Sequence, residues 1–372
     1  MSIETTMTRA WQRQAAWLWL LLPVSWLYGF ITMVRRQAYQ VGLFSSYRAP
    51  IPLMVIGNIT VGGSGKTPLI IALVTHLQKQ GIKVGVISRG YGGDSNQMPA
   101  LVHADSLPSI VGDEPCLIVN MTGAAMAVCP NRKQAITTLL NAHPDLQLII
   151  ADDGLQHYAL QRDIEWIVVD ASRGFGNQQL LPTGFLREPM SRLTGANVVY
   201  HEKADRTTKD NKQAKAKRLT MHLQADELQI LWPSAVEIDG LSVAAKTLMP
   251  PIPNGRVHAV SGIGYPQRFF DTLMALGFDV IGHAYPDHYD FSLDELLQYS
   301  ELPIIVTSKD AVKIRALLIN MSNRQPLNDE YQELVHRLWV LPVTAVLSDG
   351  CYVSLQQQLK ALNINLSKST KA

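Results

Sequence analysis

A glycine-rich segment at residues 57–68, GNITVGGSGKTP, has the composition and spacing of a phosphate-binding loop. Its glycines allow the backbone to turn so that several N–H groups point at one anion. In such a loop the lysine reaches the β- and γ-phosphates of a nucleotide, and the threonine hydroxyl ligates Mg²⁺. The general motif has glycine where this chain has Thr60. The predicted nucleotide site consists of Thr60, Val61, Gly62, Gly63, Ser64, Gly65, Lys66 and Thr67.

Carboxylates that could serve this loop follow an apolar run at residues 146–151, LQLIIA. Asp152 and Asp153 come directly after it, where a metal-binding carboxylate belongs at the carboxyl end of a neighbouring parallel strand. Two aspartates that merely end a strand are the alternative. Asp113 lies in GDEP at 112–115, and this segment by itself fits a turn as well as it fits a catalytic base. A lone histidine such as His288 is more often structural or exposed.

The elements that must position these groups indicate an α/β fold. Continuous Val/Ile/Leu runs alternate with helical patterns, which is typical of a parallel sheet covered on both faces. Four residues rich in proline, at 250–253, precede a second α/β unit. The fold prediction is a P-loop NTPase-like parallel-sheet domain, an N-terminal membrane-associated helix and a second, smaller α/β domain. The predicted strands are 51–57, 84–88, 146–151, 164–170, 257–261 and 304–307, and the predicted helices are 68–80 and 266–276.

The domain boundaries follow changes in composition. Residues 201–218 carry seven basic and three acidic side chains, which indicates either a solvated segment or a contact with anionic headgroups. The predicted units are a membrane-associated helix at 1–40, the P-loop domain at 41–218, a strand-rich linker at 219–250, the smaller domain at 251–345 and a C-terminal segment with a polar tail at 346–372.

An uncharged stretch at residues 15–34 is long enough to reach across a bilayer, since as a helix it measures about 30 Å. Three tryptophans within ten residues suit the headgroup level, which favours a helix lying in or dipping into one leaflet. A full span would carry Arg9 and Arg13 across the membrane, against the positive-inside tendency. A spanning helix and a plain core helix remain alternatives.

Charge and cysteine content exclude some classes of protein. The net charge of +2 gives no global field that would favour nucleic acid as a partner. The three cysteines form no CxxC pair, which argues against a structural zinc site and for a reduced compartment. The sequence therefore predicts a protein that works on the cytoplasmic side of a membrane.

Taken together, the motifs resemble the tetraacyldisaccharide 4′-kinase family of Gram-negative lipid A biosynthesis. They occur in the family's order, and the family also has threonine at the position of Thr60. Phe185, Tyr265 and Ser308 stand where proline, asparagine and glutamate are usual in the family. The matching pieces are GNITVGGSGKTP at 57–68, SRGYGG at 88–93, GDEP at 112–115, DDGLQH at 152–157, GFGN at 174–177, LPTGFLREP at 181–189, SGIGYPQRFF at 261–270, PDHYDF at 286–291 and TSKDAVK at 307–313.

The resemblance implies transfer of the γ-phosphoryl group of ATP to the 4′-hydroxyl of tetraacyldisaccharide 1-phosphate, giving lipid IVA. It also implies Mg²⁺ as cofactor, lipid of the inner membrane as surroundings and the cytoplasmic face as location. The implied catalytic residues are Asp113 as the base, His288 as its helper from the other domain, and Lys66. The implied metal ligands are Thr67, Asp152, Asp153 and Glu188, and the implied substrate contacts are Arg89, Tyr91, Gln156 and Arg187.

Three other functions share part of the pattern. A partition-type switch ATPase would have lysine where this chain has Val61. A GTPase would need aspartate two residues after the lysine of its base-reading motif, whereas Asp310 follows Lys309 directly. The third alternative is a nucleotide-binding membrane scaffold without catalysis.

Overall fold

Apolar runs along the chain form two separate sheets in the computed structural model, which describes residues 3–203, 218–232, 249–299, 301–323 and 326–364. Much of the basic stretch at 201–218, part of the predicted linker and the end of the polar tail lie outside the described residues. The strands are β1 (Leu53–Gly57), β2 (Val84–Ser88), β3 (Ala100–Val102), β4 (Ala125–Val128), β5 (Leu148–Asp152), β6 (Ile164–Asp170), β7 (Asn197–His201), β8 (Leu219–Ala225), β9 (Gln229–Ile230), β10 (Arg256–Ser261), β11 (Asp279–Ala284), β12 (Ile304–Thr307), β13 (Leu338–Leu341) and β14 (Val343–Leu347).

Helices cover both faces of these sheets, as the alternation of apolar runs predicts. Short 3₁₀ turns lie at Ala16–Leu21, Ser95–Gln97 and Met190–Leu193. The α-helices are α1 (Ile3–Gln12), α2 (Leu22–Gln40), α3 (Lys66–Lys79), α4 (Pro108–Val111), α5 (Asp113–Thr122), α6 (Arg132–Ala142), α7 (Pro266–Ala275), α8 (Leu293–Leu297), α9 (Ser308–Ser322), α10 (Asp329–Arg337) and α11 (Asp349–Ala361).

The larger sheet has the order β14-β8-β7-β6-β1-β5-β2-β4-β3 within the described residues. Its neighbours pair in parallel from β8 to β4, and the two edge strands, β3 and β14, pair antiparallel. Successive strand residues point to opposite faces, so Met54 and Ile56 join one core with α3, α5 and α11, while Leu53 and Val55 join another with α6. The central position of β1 places the loop that follows it at the middle of the sheet edge.

The smaller sheet has the order β11-β10-β12-β13-β9, with only β9 antiparallel to its neighbour among the described strands. The chain then returns to the larger sheet, because β14 pairs with β8 and α11 packs onto the larger core. The domain boundaries predicted from composition place β14 and α11 in the smaller domain and the C-terminal segment. Their apolar faces complete the larger core instead, which composition along the chain cannot show.

The N-terminal helical segment is attached to the larger body along one face only. Residues 16–40 form a stretch of 25 residues whose most apolar 18-residue window has a mean hydropathy of 1.6, and only 11% of that window is buried. Its inner face is polar: the Ser25 hydroxyl donates to the Leu180 carbonyl over 3.0 Å, and Tyr28 donates to the Arg187 carbonyl over 3.0 Å. Its outer face exposes Trp26, Phe30, Ile31 and Val34 among other large apolar side chains.

Candidate active site

The phosphate-binding loop runs between the end of β1 and the start of α3, as the motif predicts. Gly62 and Gly65 have φ values of 92° and 94°, in the left-handed region that favours glycine. A Cβ atom at Gly65 would also lie 2.7 Å from Nδ1 of His201. The loop therefore requires glycine both for its backbone and for its neighbours, and it delivers Lys66 to the first turn of α3.

Lys66 is held across the sheet edge by an ion pair. Its Nζ lies 3.0 Å from Oδ1 of Asp153 and 3.2 Å from Oδ1 of Asn58. Arg187 Nη1 lies 3.2 Å from the other oxygen of Asp153. Burial raises the pKa of Asp153, but Lys66 and Arg187 outweigh it and bring the pKa to about 2. Asp153 is therefore ionised and fixes the lysine next to the loop.

Asp152, the last residue of β5, has the opposite environment. It is buried, and the Ser88 hydroxyl donates to its Oδ2 over 3.2 Å. Its Oδ1 is buried with no hydrogen-bond partner among the described residues. Burial, together with Glu114, raises the pKa of Asp152 to about 7. An unpartnered buried carboxylate oxygen beside a phosphate loop fits a divalent cation, since oxygen donors are what Mg²⁺ prefers.

Asp113 is the first residue of α5 and follows Gly112, whose φ is 97°. Its side chain is buried, and His288 Nδ1 lies 3.0 Å from its Oδ2. Lys313 and Lys309 follow at 3.5 Å and 3.8 Å from the same oxygen. Burial raises the pKa of Asp113, but the hydrogen bond with His288 and the two lysines lower it to about 2. Asp113 is therefore an ionised, buried carboxylate.

His288 reaches Asp113 from the smaller body, which joins the two sheets at this point. Its backbone has a φ of 58°, and its N–H donates to the Gly262 carbonyl over 3.1 Å. On the far side of the ring, Nε2 lies 3.2 Å from Nζ of Lys309. Burial lowers the pKa of Lys309, but Glu114, Asp113 and Asp287 outweigh it and raise that pKa above its ordinary value. The histidine thus sits between a carboxylate and a firmly protonated lysine.

The residues predicted to contact the substrate divide into two groups. Arg89 and Tyr91 follow β2 and are exposed, and the Tyr91 ring lies 4.9 Å from the His288 ring, edge to face. Gln156 and Arg187 lie instead beside the phosphate loop. Gln156 Nε2 donates to the Asn58 carbonyl over 3.1 Å, and Arg187 pairs with Asp153.

Glu188, predicted as a metal ligand, lies in a different set of contacts. It is buried, and Arg192 Nε lies 3.1 Å from its Oε2. Gln156 Nε2 donates to its Oε1 over 2.8 Å. Both carboxylate oxygens therefore already have partners, whereas Asp152 Oδ1 has none among the described residues.

Several charged residues at the site do not stand out in the sequence. Arg132 is buried at the start of α6 and donates to the Asp152 carbonyl over 2.7 Å. Arg268 of the smaller body pairs with Asp170 over 2.7 Å and lies 3.1 Å from His201 Nδ1. The sequence points to Arg268 and Lys309 only through the family-like segments that contain them, SGIGYPQRFF and TSKDAVK.

Comparisons with known proteins find relatives over nearly the whole chain. A family model described as LpxK, tetraacyldisaccharide-1-P 4′-kinase, matches residues 17–360. A tetraacyldisaccharide 4′-kinase from Psychrobacter arcticus is 74% identical over 378 residues, covering 99% of this chain and 98% of the relative. One from Pseudomonas fluorescens is 42% identical and covers 85% of this chain and 89% of its own length.

A crystal structure of an "apo" form of LpxK from Aquifex aeolicus in complex with ATP has the same fold. It matches with a TM-score of 0.66 and 24% identity, covering 93% of this chain and 99% of the other. At that identity the likeness shows the fold alone. The family model and the close relatives extend over nearly the whole chain, including every motif of the site. The chain therefore belongs to the tetraacyldisaccharide 4′-kinase family.

Proposed function

We propose that this chain transfers the γ-phosphoryl group of ATP to the 4′-hydroxyl of tetraacyldisaccharide 1-phosphate, giving lipid IVA. The observation that carries the proposal is the pair of Asp113 and His288, 3.0 Å apart, which two domains bring together beside a phosphate loop. A base that is completed from a second domain suits an enzyme that closes over its acceptor. Family membership supplies the identity of that acceptor.

The nucleotide would bind along the loop from Thr60 to Thr67. Backbone N–H groups and the positive end of α3 would hold the phosphates, because a helix N-terminus favours anions. Lys66 would leave part of its pairing with Asp153 and turn toward the γ-phosphate as it arrives. Gly264 of the smaller body supports closure here, since a Cβ atom at that position would lie 3.4 Å from the Gly63 backbone nitrogen.

Mg²⁺ would be held by Thr67 and Asp152, with Asp153 ordering its surroundings. When bound, such an ion neutralises charge that develops on the phosphate oxygens. The unpartnered Oδ1 of Asp152 supports this assignment. Glu188, predicted from the family likeness as a further ligand, would instead hold Arg192 and Gln156, which already contact its two carboxylate oxygens.

In the transfer step the acceptor 4′-oxygen bonds to the γ-phosphorus while the bond from that phosphorus to the β–γ bridging oxygen breaks. The hydroxyl proton passes to Asp113, and ADP leaves with the bridging oxygen. A carboxylate with a pKa of about 2 is a weak base, so it accepts the proton late, as the new bond forms. That suits phosphoryl transfer, whose loose transition state needs positioning more than strong base catalysis. His288 would orient the carboxylate through the contact of its Nδ1 with Asp113 Oδ2.

The acceptor would approach from the cytoplasmic face of the inner membrane. The exposed apolar face of α2 would lie among the acyl chains, while its inner face stays bonded to the larger body. Only the sugar head would then need to leave the bilayer. The candidates to contact this head are Arg89, Tyr91, Gln156 and Arg187. Exposure of Trp26 and Phe30, at 69% and 60%, supports this placement.

Transfer of labelled γ-phosphate from ATP to tetraacyldisaccharide 1-phosphate in detergent micelles tests the proposal. Asp113→Asn should lower kcat by about 10²- to 10⁴-fold while nucleotide binding is retained, since only the proton acceptor is removed. Lys66→Ala should lose both phosphoryl transfer and nucleotide binding. Asp290→Asn, the same chemical change at an exposed residue near His288, is the control and should match wild type. ATP hydrolysis without any lipid product in wild type would favour the switch ATPase instead.

A further inference from the structure

A basic cavity outside the catalytic site lies where the membrane-facing helix meets the larger body. It has a volume of about 280 Å³ and opens between the last turns of α2 and the segment that joins β5 to β6. The Asp113–His288 pair and the phosphate loop do not line it. We call it the Arg36 pocket, and its principal lining residues are Arg36, Tyr39, Tyr158, Arg162, Glu165 and Arg192.

The charges around the Arg36 pocket leave an excess of positive charge. Glu165 pairs with both Arg162 and Arg192, and Arg192 pairs also with Glu188. Arg36 lines the cavity as a further cation, and the Arg35 guanidinium lies 5.8 Å from the Tyr158 ring. Three guanidinium groups and one carboxylate thus line the cavity, with Arg35 and Glu188 beside it, and this excess of positive charge favours an anion there.

The same positive charges affect the pKa of the neighbouring His157. Burial, together with the charges of Arg132, Arg162 and Arg35, lowers the pKa of His157 to about 4. The imidazole is therefore neutral near pH 7 and adds no charge of its own. The positive charge that would attract an anion to the pocket therefore comes from its guanidinium groups and not from His157.

The position of the pocket indicates where its ligand comes from. On one side, α2 exposes Ile31 and Val34, at 55% and 46%. On the other side, Val41 and Leu43 are 78% and 74% exposed. Exposed apolar side chains that would enter the acyl layer thus flank a basic cavity, which would then lie at the depth of lipid headgroups.

We propose that the Arg36 pocket binds a phosphate group carried by a membrane lipid. Two lipids offer that chemistry: an anionic phospholipid of the bilayer, and the acceptor itself through its 1-phosphate. The second source rests on the proposed function. A chain of contacts links the pocket to the phosphate loop, from Arg192 through Glu188 and Gln156 to the Asn58 carbonyl. A headgroup bound in the pocket would therefore have a fixed position relative to the reaction centre.

Flotation of the full-length protein with lipid vesicles tests this without any turnover. The vesicles are phosphatidylcholine alone, phosphatidylcholine with phosphatidylglycerol, and phosphatidylcholine with tetraacyldisaccharide 1-phosphate. Arg36→Gln should weaken binding to one of the two phosphate-bearing vesicles by about tenfold, because a hydrogen bond between charged groups is lost. Binding to phosphatidylcholine alone should not change. Arg36→Lys keeps the charge but not the forked donor and should recover part of the loss.

Arg13→Gln is the matched control, since it removes the same charge from an exposed position before the apolar stretch. It should leave the preference for phosphate-bearing vesicles unchanged. A loss confined to phosphatidylglycerol assigns the pocket to bulk phospholipid, and a loss confined to the acceptor assigns it to the 1-phosphate. In the second case Arg36→Gln should also raise the KM for the acceptor about tenfold with kcat unchanged.

Equal behaviour of Arg36→Gln and Arg13→Gln on all three vesicles would overturn the proposal, because general attraction to the membrane would then explain the binding. A wild-type protein that transfers no phosphate would contradict the proposed function. The flotation result would still decide whether the pocket recognises a lipid phosphate.

Discussion

At the scale of single residues, two neighbouring aspartates acquire opposite properties. Lys66 and Arg187 hold Asp153 ionised, whereas burial raises the pKa of Asp152 to about 7. The difference arises because Asp153 turns out of the strand, with a φ of 47°, while Asp152 remains within it. Asp153 thereby positions the lysine, whereas Asp152 would be the carboxylate that a cation stabilises in its charged form.

The role of Glu188 can be separated from that of Asp152 by mutation. Glu188→Gln should lower the free energy of unfolding by about 1–3 kcal/mol, because Arg192 loses a buried charged partner. The Mg²⁺ concentration that gives half-maximal activity should stay near that of wild type, whereas Asp152→Asn should raise it. A raised Mg²⁺ requirement with unchanged stability in Glu188→Gln would instead establish Glu188 as a metal ligand.

His201 should make stability depend on pH in the mildly acidic range. Burial, with Arg268, lowers its pKa to about 4 in the folded protein, against about 6.5 when unfolded. Between these values the unfolded state binds more protons, so stability should fall as pH falls from about 6.5 to about 4. The loss contributed by His201 is at most about 3 kcal/mol.

Urea unfolding at several pH values from 7.5 downward measures this effect. His201→Gln should show a smaller decline than wild type over that window, whatever its stability at neutral pH. His103→Gln, at an exposed histidine, serves as the control and should keep the wild-type slope. Parallel slopes for all three proteins would rule out a contribution from His201.

At the scale of elements, α2 combines two faces with different tasks. Polar and small residues face the larger body, while large apolar residues face outward. Ser25 is buried where α2 contacts the larger body, and it accepts a hydrogen bond from the Thr183 backbone N–H over 3.0 Å. Hydrogen bonds to the larger body hold the helix by its polar face, so its apolar face stays exposed.

Ser25→Ala should loosen this attachment. The change leaves the buried Thr183 N–H without its acceptor, which costs about 1–3 kcal/mol. Limited proteolysis between α2 and β1 should become faster, and urea unfolding should begin earlier. Thr32→Ala is the control, because the Thr32 hydroxyl bonds only within α2, to the Tyr28 and Gly29 carbonyls, among the described contacts. Equal protease sensitivity of the two variants would show that Ser25 does not secure the helix.

At the scale of the whole molecule, the site exists only where the two bodies meet. Arg268 joins them beside the phosphate loop through Asp170, and His288 joins them at Asp113. At these two contacts the carboxylates of Asp170 and Asp113 belong to the larger body, and the guanidinium and imidazole groups that meet them belong to the smaller one. Charge complementarity between the two bodies, to which Lys309 and Lys313 add beside Asp113, thus favours the arrangement in which His288 contacts Asp113.

Arg268→Gln should lower kcat/KM by about tenfold, because weaker closure misplaces His288 relative to Asp113. Arg256→Gln is the control: it breaks an exposed pair with Asp279 inside the smaller body, 2.7 Å long. Small-angle X-ray scattering should show a larger radius of gyration for Arg268→Gln only. Wild-type kinetics and dimensions in both variants would show that Arg268 does not contribute to closure.

The sequence by itself determined the local chemistry. The glycine, lysine and threonine spacing predicts the loop between β1 and α3, and continuous apolar runs predict the parallel strands, since both follow from local backbone geometry and burial. The order of the motifs also indicates the family, which the family model and close relatives confirm. The uncharged stretch predicts an apolar helix near the N-terminus, which the structure contains.

Only the tertiary structure decided which of these residues meet. Asp113 and His288 lie 175 positions apart, and no periodicity along the chain links them. The return of β14 and α11 to the larger sheet, the pairing of Glu188 with Arg192, and the cations at Arg132 and Arg268 likewise depend on long-range packing. Local propensity fixes backbone conformation, whereas the burial and charge environment that set each pKa arise only when distant segments pack together.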